Sequence, residues 1–245
     1  MNIEKNGNVF NAGFALAVAL VLSSIVMAWA YTHNKKSDEA ITVTGSARKR
    51  IKSDLVIWRA GIPSQGTQLA DAYKSLTDSV PRVKQYLMSK GISENEITIS
   101  SISSQTLHEK DEQGNESGRI TGYSLRQEVQ VRSGDVDKID RIAREATELI
   151  NQGILLESMP PEFYYTKIAD LKIEMLAEAA KDAKVRAQQV ASSTGSQIGS
   201  VRSARMGVMQ ITAADSNEVS DSGINDTSAL QKDITAVVNV SFGIE

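Results

Sequence analysis

The first residues to test for chemistry are the two histidines, His33 and His108, because imidazole is the commonest general base in enzymes. A nucleophilic triad needs an imidazole held between a hydroxyl group and a carboxylate. His108 instead stands beside the charged run 109–111 at the edge of a polar stretch, a setting typical of a solvated side chain. The chain has no cysteine, which excludes thiolate nucleophiles, disulfides and cysteine-based metal sites. With one histidine left in the main part of the chain, no zinc site is predicted.

Two carboxylates, Glu174 and Glu178, are four residues apart and would share one face of a helix. Such a pair could act as a general acid and base. Lys181 and Lys184 follow closely, however, and this mixture of charges is typical of a solvent-exposed helix face with salt bridges. No catalytic residue is therefore predicted, and the protein is predicted not to be an enzyme.

An acidic stretch at 215–226 superficially resembles a calcium-binding loop. The EF-hand pattern needs an acid or amide at its fifth position and glycine at its sixth, where this chain has Val219 and Ser220. Gly195 and Gly199 follow a predicted helix and precede a strand, the reverse of a phosphate-binding loop. The acidic stretch is predicted to be a mobile loop, and neither a metal site nor a cofactor is predicted.

One compact basic group consists of Arg48, Lys49, Arg50 and Lys52, in a predicted turn between two strands. These side chains could simply be solvated, or they could contact anionic lipid or an acidic partner. The whole chain has 27 basic and 30 acidic residues and a net charge of −3, unlike a strongly basic nucleic-acid-binding domain. No nucleic-acid partner is predicted, and no small-molecule partner is evident.

The N-terminal region contains twenty uncharged residues at 12–31, enough for a helix to cross a hydrocarbon core of roughly 30 Å. Trp29 and Tyr31 at one end suit the membrane interface. A cleaved signal peptide remains an alternative, since Ala28-Trp29-Ala30 fits the small-residue pattern of a cleavage site. Charge bias alone leaves the orientation open. The predicted divisions are a tail at 1–11, an anchor or signal at 12–31, a linker at 32–40 and one domain at 41–245.

The remaining chain mixes strand and helix patterns. Apolar residues alternate with polar ones at 123–131 and share the even positions of 234–242, which predicts two half-buried strands. Steps of three and four predict amphipathic helices at 67–90, 135–153 and 168–192. The fold is therefore predicted to be α+β, with antiparallel or mixed sheets packed by three helices, in addition to the N-terminal transmembrane helix. Twice a helix leads to a strand, an acidic loop and another strand, which indicates two α-β-β units.

The third helix is rich in alanine, and small residues would let it lie close to a sheet. Its inner stripe is predicted to contain Leu176, Ala180, Ala183, Ala187 and Val190.

The run 55–58 is apolar at every position, which predicts a strand covered on both faces. Val56 and Trp58 would share one of these faces. Helices of the same chain could cover both. Otherwise Trp58 and Val56 would face a neighbouring copy, because large aromatic side chains commonly anchor interfaces. These two residues are therefore the candidate interface.

Three stretches together resemble the SIMPL-domain family, including its bacterial periplasmic and outer-membrane immunogenic-type members. They are Ile41-Thr-Val-Thr-Gly45, the strand from Gly122-Tyr123 to Val129-Gln-Val131, and the helix from Ala177 to Thr194-Gly195 with Ile198-Gly199 after it. The resemblance covers nearly all of 41–245. It implies an envelope protein with no established catalytic residues, and in some members a large ring-like homo-oligomer. It also implies export, which favours placing the domain outside the cytoplasm.

These observations predict a membrane-tethered or exported, non-enzymatic envelope protein that forms a homo-oligomer and has a structural, assembly or stress-related role. The expected location is the inner membrane, with a single pass through 12–31 and the domain in the periplasm. Cleavage would instead give a periplasmic or outer-membrane-associated protein. The alternative function is a periplasmic module, monomeric or dimeric, that binds a ligand or peptide in a cleft between the two α-β-β units.

Overall fold

A computed structural model of the chain describes residues 14, 16–29 and 39–244. The helices are α1 (16–29), α2 (Leu69–Ser89), α3 (Val136–Glu145) and α4 (Ile168–Ser193), with 3-10 helices at Glu94–Glu96 and Ala146–Gln152. The strands are β1 (Ala40–Lys52), β2 (Leu55–Gly66), β3 (Ile97–Ile99), β4 (Ser103–Lys110), β5 (Glu116–Ser133), β6 (Glu157–Ser158), β7 (Glu162–Tyr164), β8 (Ile198–Met206), β9 (Gln210–Ala213), β10 (Ile224–Asn225) and β11 (Gln231–Ile244). The α+β class is confirmed.

The strands form two sheets, one antiparallel and one mixed. The six-stranded sheet has the order β3-β5-β2-β6, with β4 also paired to β5 and β7 also paired to β2. The five-stranded sheet has the order β1-β11-β9-β10, with β8 also paired to β11. In the second sheet β9 and β10 are parallel, whereas β11 runs antiparallel to β8 and β9.

The chain divides into two compact units. The first unit contains Met1–Ala47, Leu176–Gly207 and Ala236–Glu245, and the second contains Arg48–Met175 and Val208–Thr235. Three elements are divided between the units, with one part in each: β1, β11 and α4. The element order also repeats, since α2 leads to β3–β5 and α4 leads to β8–β11.

The core of the second unit lies on the even-numbered face of β2. Val56, Trp58 and Ala60 alternate with less buried residues, as expected for a strand with one core face, and Ile62 continues this face beyond the buried Gly61. The helix α2 packs on this face through a stripe that includes Leu76. Leu69 and Tyr73 continue the same three-and-four spacing toward the start of the helix. These two side chains are exposed, and the smaller Ala72 is buried instead.

The single helix predicted at 135–153 is divided between α3 and the 3-10 helix that follows it, and the outer ends of the two elements lie at the predicted residues. The side chain of Asp135 accepts a hydrogen bond from the backbone N–H of Lys138, a normal N-cap arrangement. The following 3-10 helix ends at Gly153, whose φ of 78° is readily adopted by glycine.

In the first unit, α4 buries every fourth residue: Ala179, Ala183, Ala187 and Ala191. The predicted stripe was only half correct, because Ala180 and Val190 are exposed and Leu176 is half-buried. The real stripe contains only alanine in this unit because β1 lies very close to the helix at Gly45. Larger side chains would hold the two backbones apart.

The N-terminal segment is described at residue 14 and at 16–29, and these positions are helical. Among the described residues, no helix is both long enough and apolar enough to span a membrane. The predicted tail at 1–11 and most of the linker at 32–40 lie outside the described residues, as do parts of the predicted anchor at 12–31.

Candidate functional site

The predicted interface residues Trp58 and Val56 lie in the core of the second unit. Both are 0% exposed, and the indole Nε1 of Trp58 donates a hydrogen bond to Ser158 Oγ at 3.1 Å. The helices α2 and α3 of the same unit pack against this face of β2. Neither side chain is available to a neighbouring copy, so the prediction for these two residues is wrong. The pattern showed that the face is apolar, but it could not show what covers it.

The predicted basic turn is instead the end of β1, which continues as a strand through Lys52. The basic side chains are each paired with carboxylates of the second unit: Lys49 with Glu174, Lys52 with Asp137, Arg48 with Asp233, and Arg50 with Asp233 and Asp215. The four cations are thus balanced by four carboxylates. They do not form the unopposed basic surface that contact with an anionic partner requires.

Asp233 on β11 is the centre of the tightest of these ion pairs. Its side chain is 3% exposed, and it accepts hydrogen bonds from Arg48 Nη2 at 2.6 Å and Arg50 Nε at 3.0 Å. Arg50 Nη2 donates a third at 3.1 Å, and the backbone N–H of Asp215 donates a fourth at 2.9 Å. Hydrogen bonding to Arg50 holds the pKa of Asp233 well below its usual range, although burial opposes the shift. The arrangement ties β1 to β11 in this unit and leaves the carboxylate with no position for a ligand.

A pocket of about 490 Å³ lies elsewhere in the second unit. Its apolar walls come from β7, the start of α4, the segment at β9, and β10: Phe163, Ile168, Val208, Met209, Ile211 and Ile224. Tyr164 and Tyr165 add aromatic rings with polar ends, and Lys172 and Lys232 add positive charge. Volume and lining are both typical of small-molecule sites, which combine apolar walls with a few polar groups.

The unusual group in this pocket is Lys232, whose side chain is only 2% exposed. Its Nζ donates to the backbone carbonyl of Asp226 and lies 3.3 Å from Asp226 Oδ2. Lysine is rarely buried to this extent, because removing an ammonium group from water is costly unless it is paired. A buried cation in the wall of a cavity is therefore the strongest indication of a functional site in the described part of the chain.

The pKa values of this pair follow from its surroundings. Burial lowers the pKa of Lys232, and the charge of Asp226 only partly opposes this shift. Burial alone would raise the pKa of Asp226, but hydrogen bonds from Ser228 and Ala229 and the charge of Lys232 outweigh it. The net pKa of Asp226 is lowered, so at neutral pH the carboxylate is ionised beside the lysine.

The loop before β11 is held by hydrogen bonds, in contrast to the predicted mobile acidic loop. The backbone N–H of Asp226 donates to Ile211 O at 2.9 Å, and that of Phe163 donates to Thr227 O at 2.7 Å. The loop also contains β10, which pairs with β9. These contacts set the position of Asp226 and therefore of the Lys232 ammonium group.

Sequence reasoning missed Lys232, although a signal was present. The even positions of 234–242 were correctly predicted to share the buried face of the last strand, and all five are buried. Extending that face back by two residues reaches position 232, which places a lysine on the apolar side. A cation on the core face of a strand needs a partner, and that need could have directed attention to the preceding acidic loop.

The other candidates lie apart from this pocket or are already paired. His108 lies on β4 opposite Ile120, rather than in a loop. Glu174 pairs with Lys49 at 2.6 Å, and Glu178 approaches Lys181 at 4.0 Å. Within the described residues, no group of three or more His, Asp or Glu side chains could hold a metal ion.

The model of the SIMPL family, described as a protein of unknown function, matches residues 41–242. The chain belongs to the SIMPL family. The predicted resemblance is therefore confirmed, over nearly the whole of the predicted domain. As the family is defined by sequence and its function is unknown, the role of this SIMPL protein has to be argued from its own residues.

Comparison with curated proteins found no match. Among solved structures, a proposed aminohydrolase from methicillin-resistant Staphylococcus aureus aligns with 14% identity and a TM-score of 0.24, over 53% of this chain and 32% of that chain. The ligand-free regulatory subunit of aspartate kinase from Thermus thermophilus aligns with 15% identity and a TM-score of 0.19, over 80% of this chain and 87% of that chain. Likeness at this level carries no argument about the activity of the SIMPL protein.

Proposed function

We propose that this SIMPL protein is a non-catalytic binding module of the cell envelope and that the pocket beside Lys232 is its ligand site. The observation that carries the proposal is the buried lysine in the wall of a cavity of about 490 Å³. A buried lysine at this position makes the fold less stable than an apolar residue would. Residues that lower stability in this way are commonly kept at ligand-binding sites.

A non-catalytic role is supported by how the polar groups of the pocket are used. Asp226, the carboxylate in the lining, is engaged by Ser228, Ala229 and Lys232, so it has little freedom to act as a base. Tyr164 donates its hydroxyl hydrogen to Glu162 at 2.6 Å. Neither group is placed to activate a nucleophile in the manner of known hydrolases.

An envelope location is supported by the uncharged segment at 12–31 and by membership of the family. We place the protein in the inner membrane, with residues 41–245 on the periplasmic side. If a signal peptide were instead cleaved within the same segment, the domain would lie on the same side of the membrane but would have no anchor.

The binding proposal is tested with a fragment library of varied charge and shape, screened by ligand-observed NMR against the full-length protein. Fragments should bind the wild type and lose binding in Asn225→Trp, because residue 225 is exposed, lines the pocket and can carry a large ring. Asn217→Trp, on an exposed part of the loop outside the lining, is the matched control. Equal binding by wild type and Asn225→Trp across all fragments would refute the pocket as a ligand site.

Self-assembly is a second candidate, favoured by the exposed edge of β8. Among the described strands, β8 pairs with β11 alone, and its side chains Val201 and Met206 are 57% and 67% exposed. An edge strand with free backbone groups and apolar side chains can add a strand from another copy. We propose that this edge, rather than Trp58, is the contact of a homo-oligomer.

The mass of the detergent-solubilised full-length protein, measured by native mass spectrometry, tests the second candidate. Val201→Lys and Met206→Glu together should reduce the oligomer to smaller species, since charge opposes edge pairing. Val219→Glu, at another exposed apolar position, should leave the mass unchanged. A monomeric wild type would refute self-assembly, and an unchanged oligomer in the double variant would refute the β8 edge as the contact.

A further inference from the structure

The hydrogen bonds of the Lys232 ammonium group leave one donor unused. An ammonium group has three N–H donors. Within the described residues, two of them are directed to the carbonyl oxygen and Oδ2 of Asp226. Leaving a donor of a buried charged group without an acceptor is costly, whereas a ligand acceptor in the pocket would remove that cost.

The charges around the pocket favour a ligand with one negative charge. Lys232 and Asp226 balance each other, and Lys172, whose side chain has no ion-pair partner among the described residues, adds one further positive charge. A single negative charge therefore makes the lining neutral. A dianion such as a phosphate monoester would place an extra negative charge beside the Asp226 carboxylate, which is unfavourable in a partly desolvated site.

The walls of the pocket favour an apolar body attached to that charge. Phe163 and Ile211 are buried side chains that contribute to the lining, and Tyr164 and Tyr165 present aromatic rings. Apolar surface removed from water by such walls contributes roughly 25 cal/mol per Å². A ligand that is charged throughout would leave these walls without a partner.

We infer that the pocket binds a small apolar carboxylate whose carboxylate group accepts a hydrogen bond from Lys232. The inference rests on the proposed binding function and adds the chemical class of the ligand. The same chemistry is found in a free carboxylic acid and at the carboxyl terminus of a peptide with an apolar last residue. In both, the carboxylate group lies at the buried lysine and the apolar part along the tyrosine-lined wall.

The test compares 3-phenylpropanoate with its neutral amide, 3-phenylpropanamide, and with the cationic 3-phenylpropylamine, all of nearly the same shape. Dissociation constants are measured by NMR titration of the detergent-solubilised full-length protein. The same titration of Asn225→Trp, whose pocket is filled by the new ring, shows how much of the signal comes from ligand that enters the detergent. We expect the acid to bind at least about tenfold more tightly than the amide, because only the acid forms a hydrogen bond between two charged groups. The amine should bind most weakly. A short peptide with a C-terminal phenylalanine, free or amidated, distinguishes the two sources of the carboxylate.

The matched variants are Lys232→Met, which keeps the length of the side chain, and Lys181→Met, at a side chain of α4 that is 73% exposed. The first should abolish the preference for acid over amide, and the second should leave it unchanged. If Lys232→Met fails to fold, the comparison of acid and amide in the wild type still decides the question. Equal affinity of acid and amide overturns the carboxylate inference, as does the absence of binding by the acid. The fragment screen with Asn225→Trp decides separately whether the pocket is a ligand site.

Discussion

At the scale of single residues, the second unit contains two buried charges on consecutive positions of β11 that are used in different ways. Asp233 is surrounded by Arg48, Arg50 and the backbone of Asp215, so its full hydrogen-bonding capacity serves the fold. Lys232 has the backbone carbonyl and side chain of Asp226 as its hydrogen-bond acceptors and lines a cavity. A saturated carboxylate stabilises a structure, whereas a partly saturated ammonium group can also bind a ligand.

Asp233→Asn should destabilise the protein by about 2 kcal/mol at pH 7, because charged hydrogen bonds to two arginines are weakened. The pKa of Asp233 is lowered on folding, so its contribution is complete above its unfolded value of about 3.9 and is lost as the pH falls further. The difference in unfolding free energy between wild type and Asp233→Asn should therefore shrink as the pH falls from about 4 to about 2. Urea denaturation across this range is the measurement. Asp215→Asn, at a side chain that is 79% exposed, should change stability by less than about 1 kcal/mol.

Ser158→Ala should cost about 1–3 kcal/mol, because it leaves the Nε1–H of the buried Trp58 without its acceptor. Ser158 also donates to Ala143 O at 3.0 Å and so connects the indole to α3. Denaturant midpoints of Ser158→Ala, Trp58→Phe and the double variant should show coupling, with the double variant less destabilised than the sum of the single ones. Strict additivity would show that the bond contributes nothing.

At the scale of elements, the close approach of α4 and β1 in the first unit decides which residues the helix buries. Gly45 lies against the backbone of Ala179 and Ala183, and a Cβ atom at this position would overlap both. Ser46 reinforces the contact, since its N–H donates to Asp182 Oδ2 at 2.8 Å. The alanine stripe is therefore a consequence of distance between backbones, and side-chain hydrophobicity alone does not explain it.

Gly45→Ala should destabilise the protein by about 3 kcal/mol or more, at the upper end of overpacking effects, because helix backbone cannot move aside as a flexible side chain can. Gly118→Ala on β5 is the matched control, since nothing lies within 4 Å of a Cβ atom at that position. The control should be neutral within about 0.5 kcal/mol. Thermal or urea unfolding of both variants is the measurement, and similar stabilities would contradict the close contact.

At the scale of the whole molecule, the chain combines an N-terminal apolar segment with a domain that matches the SIMPL family at 41–242. As proposed above, a single anchor would retain this domain at the membrane.

We expect the full-length protein in the inner-membrane fraction, with residues 41–245 digested when protease is added to spheroplasts. Val21→Arg, near the middle of the apolar segment, should reduce retention, because a central arginine costs roughly 2.5–3.5 kcal/mol of insertion free energy. Protection of the domain under conditions that digest an outer-face control would contradict the topology. A mature N-terminus at Tyr31 would contradict the anchor but preserve export.

The sequence by itself determined the family, the α+β class and the positions of most elements. Periodicity predicted the buried face of the last strand from Ile234 to Phe242 and the extent of α4, while Asp135 and Gly153 marked the ends of the second predicted helix. These features depend on neighbours within a few residues along the chain. Local pattern is sufficient for them because strand and helix periods set which side chains share a face.

Only the tertiary structure decided what each face meets. Trp58 and Val56 are covered by helices of their own chain, and Lys52 and its basic neighbours are paired with carboxylates far away in the sequence. The approach of β1 at Gly45 selected the buried alanines of α4, and the fold of the loop before β11 brought Asp226 to Lys232. Most of these contacts join residues distant along the chain, whereas Asp226 and Lys232 are only six residues apart and meet because of the fold of the loop between them. In each case the energy depends on distance and burial, which a one-dimensional pattern does not contain.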